Sequence, residues 1–211
     1  MTQAVPPAPA QAQAITYWFD FVSPYAYIAS QSIEALAARY GRRVDWRPIL
    51  LGAIFKATGS SPLTLRQPIM ADYFLRDMQR SARFAQLELK MPEPFPINTQ
   101  NTARVCYWLK ECAPERVGEF VRCVTSAYFT SSVPLNEPTW LAQIVSAMGL
   151  DGAAALAACN DPDRKEELKA ACEQALSEGV FGAPWFVVDG EPFWGSDRLP
   201  QLEQWLKQGR F

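Results

Sequence analysis

The order of the predicted elements indicates an α/β fold that contains a large all-helical insertion. Strand signals occur at the two ends of the chain: a β-α-β pattern covers residues 15–49, and two short strands with a helix cover 180–211. Residues 50–179, between them, carry only helical periodicity and loops. We therefore expect one sheet-containing unit, built from 15–49 and 180–211, that is interrupted by a helical unit.

The first strand and helix follow from one aromatic stretch, Thr16 to Tyr27. Its first half reads TYWFDF, which is typical of a buried strand. Ser23 followed by Pro24 indicates a helix start, because serine is a favoured N-cap and proline fits the first helical position. The helical pattern continues to Tyr40, and Gly41 ends it. This arrangement places the Ser23 hydroxyl beside free amides and the positive end of the helix dipole, which would stabilise an anion.

Turn and cap signals predict the remaining elements. A second strand is predicted over 44–48, and helices are predicted over 68–86, 101–111, 114–129, 138–148 and 161–179. Strands return at 185–188 and 191–194, joined by Asp189-Gly190, a signal for a type I′ hairpin. A last helix over 197–207 carries Pro200 in its first turn, where a missing N–H costs little.

Composition excludes several classes of function. The net charge is −2 with no basic block, so we expect no nucleic-acid partner. No apolar run approaches the roughly 20 residues of a membrane span, so we expect no membrane contact. The chain has no histidine, which rules out a serine–histidine or cysteine–histidine pair and a histidine metal site; we predict no metal.

The cysteines and the first residues bear on location. The five cysteines are widely spaced and include no Cys-x-x-Cys pair, which favours a reducing compartment over a disulfide framework. We interpret them as small buried hydrophobic residues and expect a cytoplasmic protein. Residues 1–14, which are rich in alanine, proline and glutamine, are expected to form a disordered tail and not a secretory signal.

Two motifs carry a resemblance to a known family. The stretch DFVSPYAY at 20–27 resembles the active-site turn of the 2-hydroxychromene-2-carboxylate isomerases. The stretches GVFGAP at 179–184 and DGEPFWGSDRL at 189–199 are similar to the C-terminal signature of that family. It is grouped with the kappa-class glutathione transferases and is related to the periplasmic disulfide oxidoreductases. The resemblance covers roughly residues 15–207 and implies a thioredoxin-like fold with a helical insertion.

The resemblance implies that glutathione is the cofactor and that Ser23 is the catalytic residue. The redox relatives carry a cysteine pair in this turn, whereas this chain has Ser23 and Pro24. A thiol held here must therefore arrive with a ligand, which in the family is glutathione. A hydrogen bond from the Ser23 hydroxyl would favour the glutathione thiolate. The alternative is that Ser23 only caps its own helix.

The resemblance also implies which residues hold glutathione. Thioredoxin-like families have a cis proline at the position of Pro184, and the backbone of Ala183 would pair with the peptide of the ligand. Ser196 and Asp197 match the pair that the family uses for the γ-glutamyl end, although a simple helix cap would need the same residue types. Lys56 matches a lysine that can meet a carboxylate, with a solvated surface lysine as the alternative.

Four further residues are weaker candidates for substrate contact: Tyr25, Ser60, Tyr73 and Asp77. Tyr73 and Asp77 resemble the Tyr-x-x-x-Asp of the family. Ser60 stands where the family commonly has asparagine after Thr-Gly, which would give this chain a shorter donor. Trp185 replaces the small or hydroxylated residue expected after the proline. Both departures bear on the shape of the substrate pocket.

The resemblance thus implies a glutathione-dependent 2-hydroxychromene-2-carboxylate isomerase that acts in the degradation of naphthalene-like aromatic compounds. The implied mechanism is reversible addition of the thiolate to a conjugated carbon, bond rotation and elimination. A kappa-type glutathione transferase and a non-catalytic protein that binds a thiol or a peptide stay open. A disulfide oxidoreductase is disfavoured, because Ser23 and Pro24 cannot form a disulfide. The family further implies a homodimer and a pocket for a small aromatic carboxylate between the two units.

Overall fold

A computed structural model describes residues 14–62 and 67–211, so the expected tail lies outside the described residues except for Ala14. The described strands form one mixed sheet, in the order β2-β1-β3-β4. They are β1 (Ile15–Phe19), β2 (Val44–Pro48), β3 (Trp185–Val188) and β4 (Glu191–Trp194). Strand β1 pairs in parallel with β2 and antiparallel with β3, and β3 pairs antiparallel with β4. The sheet is therefore built from both ends of the chain.

Strand β1 lies inside the molecule because aromatic side chains extend from both of its faces. Tyr17 and Phe19 pack in one hydrophobic cluster, where the Tyr17 ring stacks on Phe186 at 4.7 Å. Trp18 points to the opposite face and packs in a second cluster with Trp185. Helices cover both faces, so β1 is buried along its length apart from Thr16, which is half-buried.

The predicted helices occur in the predicted order, and helices over Leu51–Thr58 and Gly152–Ala158 are additional. The helices are α1 (Pro24–Ser30), α2 (Ile33–Arg39), α3 (Leu51–Thr58), α4 (Pro68–Phe84), α5 (Gln100–Cys112), α6 (Val117–Ser131), α7 (Pro138–Ala147), α8 (Gly152–Ala158), α9 (Pro162–Ser177) and α10 (Leu199–Gln208). One-turn 3₁₀ helices precede α6 (Pro114–Arg116) and α10 (Ser196–Arg198). Between β2 and β3, the described residues contain helices and loops and no strand. The division of the chain into two units stays a prediction.

Two local predictions are confirmed and one is wrong. Asp189 and Gly190 join β3 to β4 with φ values of 51° and 88°, as a type I′ turn requires. Pro200 lies in the first turn of α10, as expected. The single helix predicted from Tyr25 to Tyr40 is instead two helices, α1 and α2, with a turn between them. At the break, the Ser32 amide donates to the Ala29 carbonyl, three residues back, so the backbone forms a tight turn there, and the Ser30 hydroxyl donates to the Tyr27 carbonyl at 2.8 Å.

The prediction that the cysteines are buried holds for three of the five. Cys106, Cys159 and Cys172 are buried, whereas Cys112 and Cys123 are exposed, and all five are free thiols. The two exposed cysteines lie on the outer faces of α5 and α6, where an amphipathic helix meets solvent. Small size alone therefore does not place a cysteine in the core.

Candidate active site

A cleft of about 1170 Å³ lies where the turn between β1 and α1 meets the loop before β3 and the helices α3 and α4. The structure brings nine of the predicted site residues into its lining: Ser23, Tyr25, Lys56, Ser60, Asp77, Ala183, Pro184, Ser196 and Asp197. Tyr73 is absent from this lining and is 57% exposed on α4, one helical turn before Asp77. Residues that are distant in the chain thus meet around Ser23.

Ser23 lies in the wall of the cleft at the beginning of α1 and is only 5% exposed. Its hydroxyl accepts a hydrogen bond from the Ala26 amide at 3.2 Å, so the helix cap that the sequence suggested is present. The same hydroxyl donates to the Ala183 carbonyl at 3.1 Å. Because serine has one hydroxyl proton, donation to a ligand would require this proton to turn away from the Ala183 carbonyl.

The loop before β3 contains the expected cis peptide bond between Ala183 and Pro184. The Pro184 carbonyl accepts from the Gly195 amide at 3.0 Å, which ties this loop to the turn that carries Ser196 and Asp197. These two residues begin the one-turn 3₁₀ helix before α10. Hydrogen bonds therefore connect one edge of the cleft, from Ser23 through the proline loop to the turn that carries Ser196 and Asp197.

Gly182 has a packing role in this loop. A Cβ atom at this position would come within 2.8 Å of Nε1 of Trp194, so a side chain here would displace the indole ring. Trp194 and Phe181 pack edge to face at 4.7 Å and both line the cleft. Trp185 is buried in the same cluster as Trp18, on the face of the sheet away from Tyr17 and Phe19, and it is not part of the cleft lining. The unusual residue after the proline therefore does not itself line the cleft.

The opposite wall is mostly apolar and was not predicted. Phe55 extends from α3, Phe74 and Met78 extend from α4, and Phe95 lies in the connection before α5. Lys56 lies in the last turn of α3, where its exposed side chain reaches the same cleft. The spacing of Phe74 and Met78, four residues apart in a helix, is the one signal that could have identified this wall.

Tyr25 and Asp77 connect the two walls. The Tyr25 hydroxyl donates to Oδ2 of Asp77 at 2.7 Å, and the second carboxylate oxygen of Asp77 pairs with Arg80. Arg80 also donates to the Tyr73 hydroxyl at 3.3 Å, on the exposed side of α4. Burial, and then the hydrogen bond to Asp77, raise the pKa of Tyr25 well above its ordinary value, so this tyrosine stays protonated.

Asp20 is a functional candidate that the sequence reasoning missed. It lines the cleft, is 3% exposed, and accepts from the Thr99 hydroxyl at 2.6 Å and from the amides of Leu51 and Val22 at 2.7 and 3.2 Å. Burial raises the pKa of Asp20, while these hydrogen bonds act in the opposite direction. Asp20 therefore joins the Ser23 turn to the beginnings of α3 and α5. Its signals in the sequence are an acidic residue inside an aromatic stretch and its place at the start of the DFVSPYAY motif.

Metal-ligating side chains and long apolar helices would mark two other kinds of site in the residues that the structure describes. These residues include no group of three or more histidine, cysteine, aspartate or glutamate side chains that could hold a metal ion. None of the described helices has the length and apolar character needed to cross a bilayer.

Comparisons with known proteins extend over most of the chain. The family model for the DSBA-like thioredoxin domain matches residues 14–207. A 2-hydroxychromene-2-carboxylate isomerase of Sphingobium xenophagum is 29% identical over 195 residues, which cover 92% of this chain and 98% of the relative. Glutathione S-transferase kappa 2 of Caenorhabditis elegans is 22% identical over 215 residues, with coverages of 93% and 92%. The solved structure of a 2-hydroxychromene-2-carboxylate isomerase superposes with a TM-score of 0.83 at 25% identity, over 92% of this chain and 95% of that one.

Proposed function

The chain belongs to the DSBA-like thioredoxin domain family, and from this premise we propose that it is a glutathione-dependent 2-hydroxychromene-2-carboxylate isomerase. The observation that carries the proposal is Ser23, hydrogen-bonded to the Ala183 carbonyl beside a cis proline in a large cleft. A serine in this place has no sulfur of its own, so the site suits a thiol that a ligand brings. We further propose a role in the breakdown of naphthalene-like aromatic compounds.

The residues around the cleft fit a tripeptide thiol. The backbone of Ala183 offers a strand-like edge, Ser196 and Asp197 lie at one end, and Lys56 offers a cation for a carboxylate. Ligand pockets commonly measure about 300–1000 Å³, so a cleft of about 1170 Å³ has room for glutathione and a small aromatic carboxylate together. Bound glutathione would supply a thiolate that adds reversibly to a conjugated carbon, which allows bond rotation before elimination.

The protein itself would contribute orientation and charge stabilisation. Ser23 would donate a hydrogen bond to the thiolate, because an anionic sulfur is a stronger acceptor than the neutral Ala183 carbonyl that it now contacts. Phe74 and Met78 would pack on the aromatic ring of the substrate and exclude water from the same space. The absence of histidine is compatible with this mechanism, because addition of a thiolate to the substrate needs no strong protein base.

A kappa-type glutathione transferase is the second candidate, since the C. elegans relative named for that activity also matches nearly the whole chain. Calorimetric titration with glutathione, followed by product analysis, tests both. We expect glutathione to bind, and 2-hydroxychromene-2-carboxylate to isomerise only when glutathione is present. A stable conjugate with a chlorinated nitrobenzene would instead favour the transferase. Glutathione binding without turnover would favour a binding protein, and no measurable binding would contradict both enzymes.

We also propose a cytoplasmic homodimer. The five free cysteine thiols favour a reducing compartment. The first turns of α4 expose Ile69, Met70 and Tyr73, an apolar surface that a second copy could cover. Sedimentation equilibrium measures the mass in solution, and a mass equal to that of one chain would contradict the dimer.

Replacing Lys56 with glutamine is expected to raise the KM for glutathione by about 5- to 10-fold, with little change in kcat. Lys56 would meet a carboxylate as an exposed point charge, so its loss weakens binding without affecting the reacting atoms. Steady-state kinetics at two ionic strengths measure the effect, which should shrink at high salt. The matched control is Lys90→Gln, which removes an exposed lysine paired with Glu88 outside the cleft lining. An unchanged KM would make Lys56 a solvated surface residue.

A further inference from the structure

One wall of the cleft carries a tyrosine hydroxyl whose proton already has a partner. The Tyr25 hydroxyl lies 2.7 Å from Oδ2 of Asp77. A carboxylate accepts hydrogen bonds and has no proton to donate, so the direction of this bond is set: Tyr25 is the donor. The other oxygen of Asp77 pairs with Arg80, which holds the carboxylate from the outer side of α4.

The oxygen of Tyr25 keeps lone pairs that can accept a hydrogen bond. Tyr25 and Asp77 both line the cleft, and Tyr25 follows Ser23 by two residues in the same turn of chain. Donation to a charged carboxylate makes a hydroxyl oxygen a better acceptor, because bonds in a chain polarise one another. The protein therefore presents an acceptor at this point of the cleft and not a donor.

We infer that Tyr25 is a specificity-determining residue that selects aromatic ligands carrying a phenolic hydroxyl. Such a hydroxyl can donate to the Tyr25 oxygen, whereas a methoxy group only accepts and an unsubstituted ring offers nothing. Phe74 and Met78 lie beside Asp77 on α4, so apolar side chains surround the Tyr25 hydroxyl. A ligand that leaves this hydroxyl without a hydrogen bond is disfavoured strongly in such surroundings, relative to one that makes the bond. The inference rests on the proposed function, because the ring oxygen of a 2-hydroxychromene becomes a phenolic hydroxyl when the ring opens, and that open form would lie in the cleft beside Ser23.

Titration with three cinnamates tests this selection without catalysis. The probes are trans-2-hydroxycinnamate, trans-2-methoxycinnamate and trans-cinnamate, and quenching of the intrinsic tryptophan fluorescence reports binding. We expect the hydroxyl compound to bind the wild-type protein about 3- to 10-fold more tightly than the other two. In Tyr25→Phe, this preference should disappear while the affinity for unsubstituted cinnamate stays the same. Equal affinities in the wild type, or a preference that persists in Tyr25→Phe, would overturn the inference.

Tyr27→Phe is the matched control for loss of a tyrosine hydroxyl. Tyr27 lies on the same helix, but its hydroxyl donates to the Glu88 carbonyl at 3.0 Å outside the cleft lining. This variant should keep the full preference for the hydroxyl probe, and loss of the preference here would overturn the assignment to Tyr25.

Asp77→Asn tests what sets the direction of the bond. The amide group of asparagine can donate to Tyr25 as well as accept from it, so the Tyr25 hydroxyl is free to turn toward the ligand. We expect the methoxy probe to gain affinity relative to the hydroxyl probe. An unchanged ratio would show that Asp77 does not orient Tyr25.

Parallel titrations with glutathione separate this inference from the proposed function. If glutathione binds but the wild-type protein shows no preference among the cinnamates, only the inference falls. If glutathione has no measurable affinity while the preference for the hydroxyl probe persists and depends on Tyr25, the proposed function falls and the selection stands.

Discussion

Ser23→Ala is expected to lower glutathione-dependent turnover by about 10²- to 10³-fold, the usual effect of removing one donor that stabilises a reacting anion. The Ser23 hydroxyl lies at the beginning of α1 and is aimed at the Ala183 carbonyl, beside the place where the backbone would pair with a peptide ligand. Its hydrogen bond would hold the sulfur as thiolate. Without it, the thiol is more difficult to ionise and less of the bound cofactor is reactive.

Ser23→Ala also removes a helix cap, so a control for stability is needed. Asp151 caps α8, another seven-residue helix, by accepting from the Ala154 amide at 3.0 Å, and it lies outside the cleft lining. Each alanine variant should lose about 1 kcal/mol of unfolding free energy in urea. Only Ser23→Ala should lose turnover. If Ser23→Ala keeps wild-type activity and loses only this stability, Ser23 is only a cap.

A direct readout separates thiolate stabilisation from a structural effect. Thiolate absorbs ultraviolet light where thiol does not, so a pH titration of the complex gives the pKa of the bound thiol. A donor to the charged form lowers that pKa, so we expect a higher thiol pKa in Ser23→Ala than in the wild type. Equal values in the two complexes would contradict the proposed hydrogen bond.

The parts of the fold that could be predicted are those with strong local signals. The aromatic run of β1 needs burial on both faces, and the two positive φ values of Asp189 and Gly190 are typical of a tight hairpin. The turn between α1 and α2 was missed because its polar residues also occur within helices. Helix α8 was missed because GAAALAA has no amphipathic pattern, although Asp151 caps it.

The site was predictable only where a continuous motif carries it. Ser23 and Pro184 lie in such motifs, and the structure brings their loops together through the Ala183 carbonyl. The apolar wall and the contacts of Asp20 depend on segments that meet only in the folded chain, although Asp20 itself lies in the motif at 20–27. Thr99, which donates to Asp20, is 79 residues away in the sequence, and no short-range pattern connects the two. Tertiary packing therefore decided the part of the site that sequence reasoning did not reach.

Asp20→Asn is expected to destabilise the fold by about 2–3 kcal/mol, because one buried backbone amide loses its acceptor. In the native chain, Oδ2 of Asp20 accepts from the Leu51 amide, while Oδ1 accepts from the Val22 amide and the Thr99 hydroxyl. Asparagine has one oxygen, so its NH₂ group must face either the Leu51 or the Val22 amide. Either orientation sets a donor against a donor. Urea denaturation measures the loss.

The pH dependence of this loss tests the raised pKa of Asp20. Burial raises the pKa of Asp20 above its ordinary value of 3.8, so the folded chain keeps a proton that the unfolded chain has released. The contribution of Asp20 to wild-type stability therefore falls as pH rises from 3.8 through the folded pKa. Asparagine does not titrate, and the other titrating groups are the same in both proteins, so their effects cancel in the comparison. The loss of unfolding free energy in Asp20→Asn, relative to the wild type, should thus be larger at about pH 4 than at about pH 7. A loss that grows with pH would contradict a raised pKa.

Thr99→Val separates the bonds to Asp20 from one another. Valine keeps nearly the same shape but removes the hydroxyl donor, and it leaves both backbone amides paired with the carboxylate. This variant should lose only about 1 kcal/mol, the usual value of one hydrogen bond.

Asp20 joins the Ser23 turn to the helix that carries Lys56, so Asp20→Asn should also weaken glutathione binding, and Thr99→Val should do so less. If Asp20→Asn proves as stable as the wild type, the carboxylate does not hold these segments together, and a different contact must set the position of Ser23.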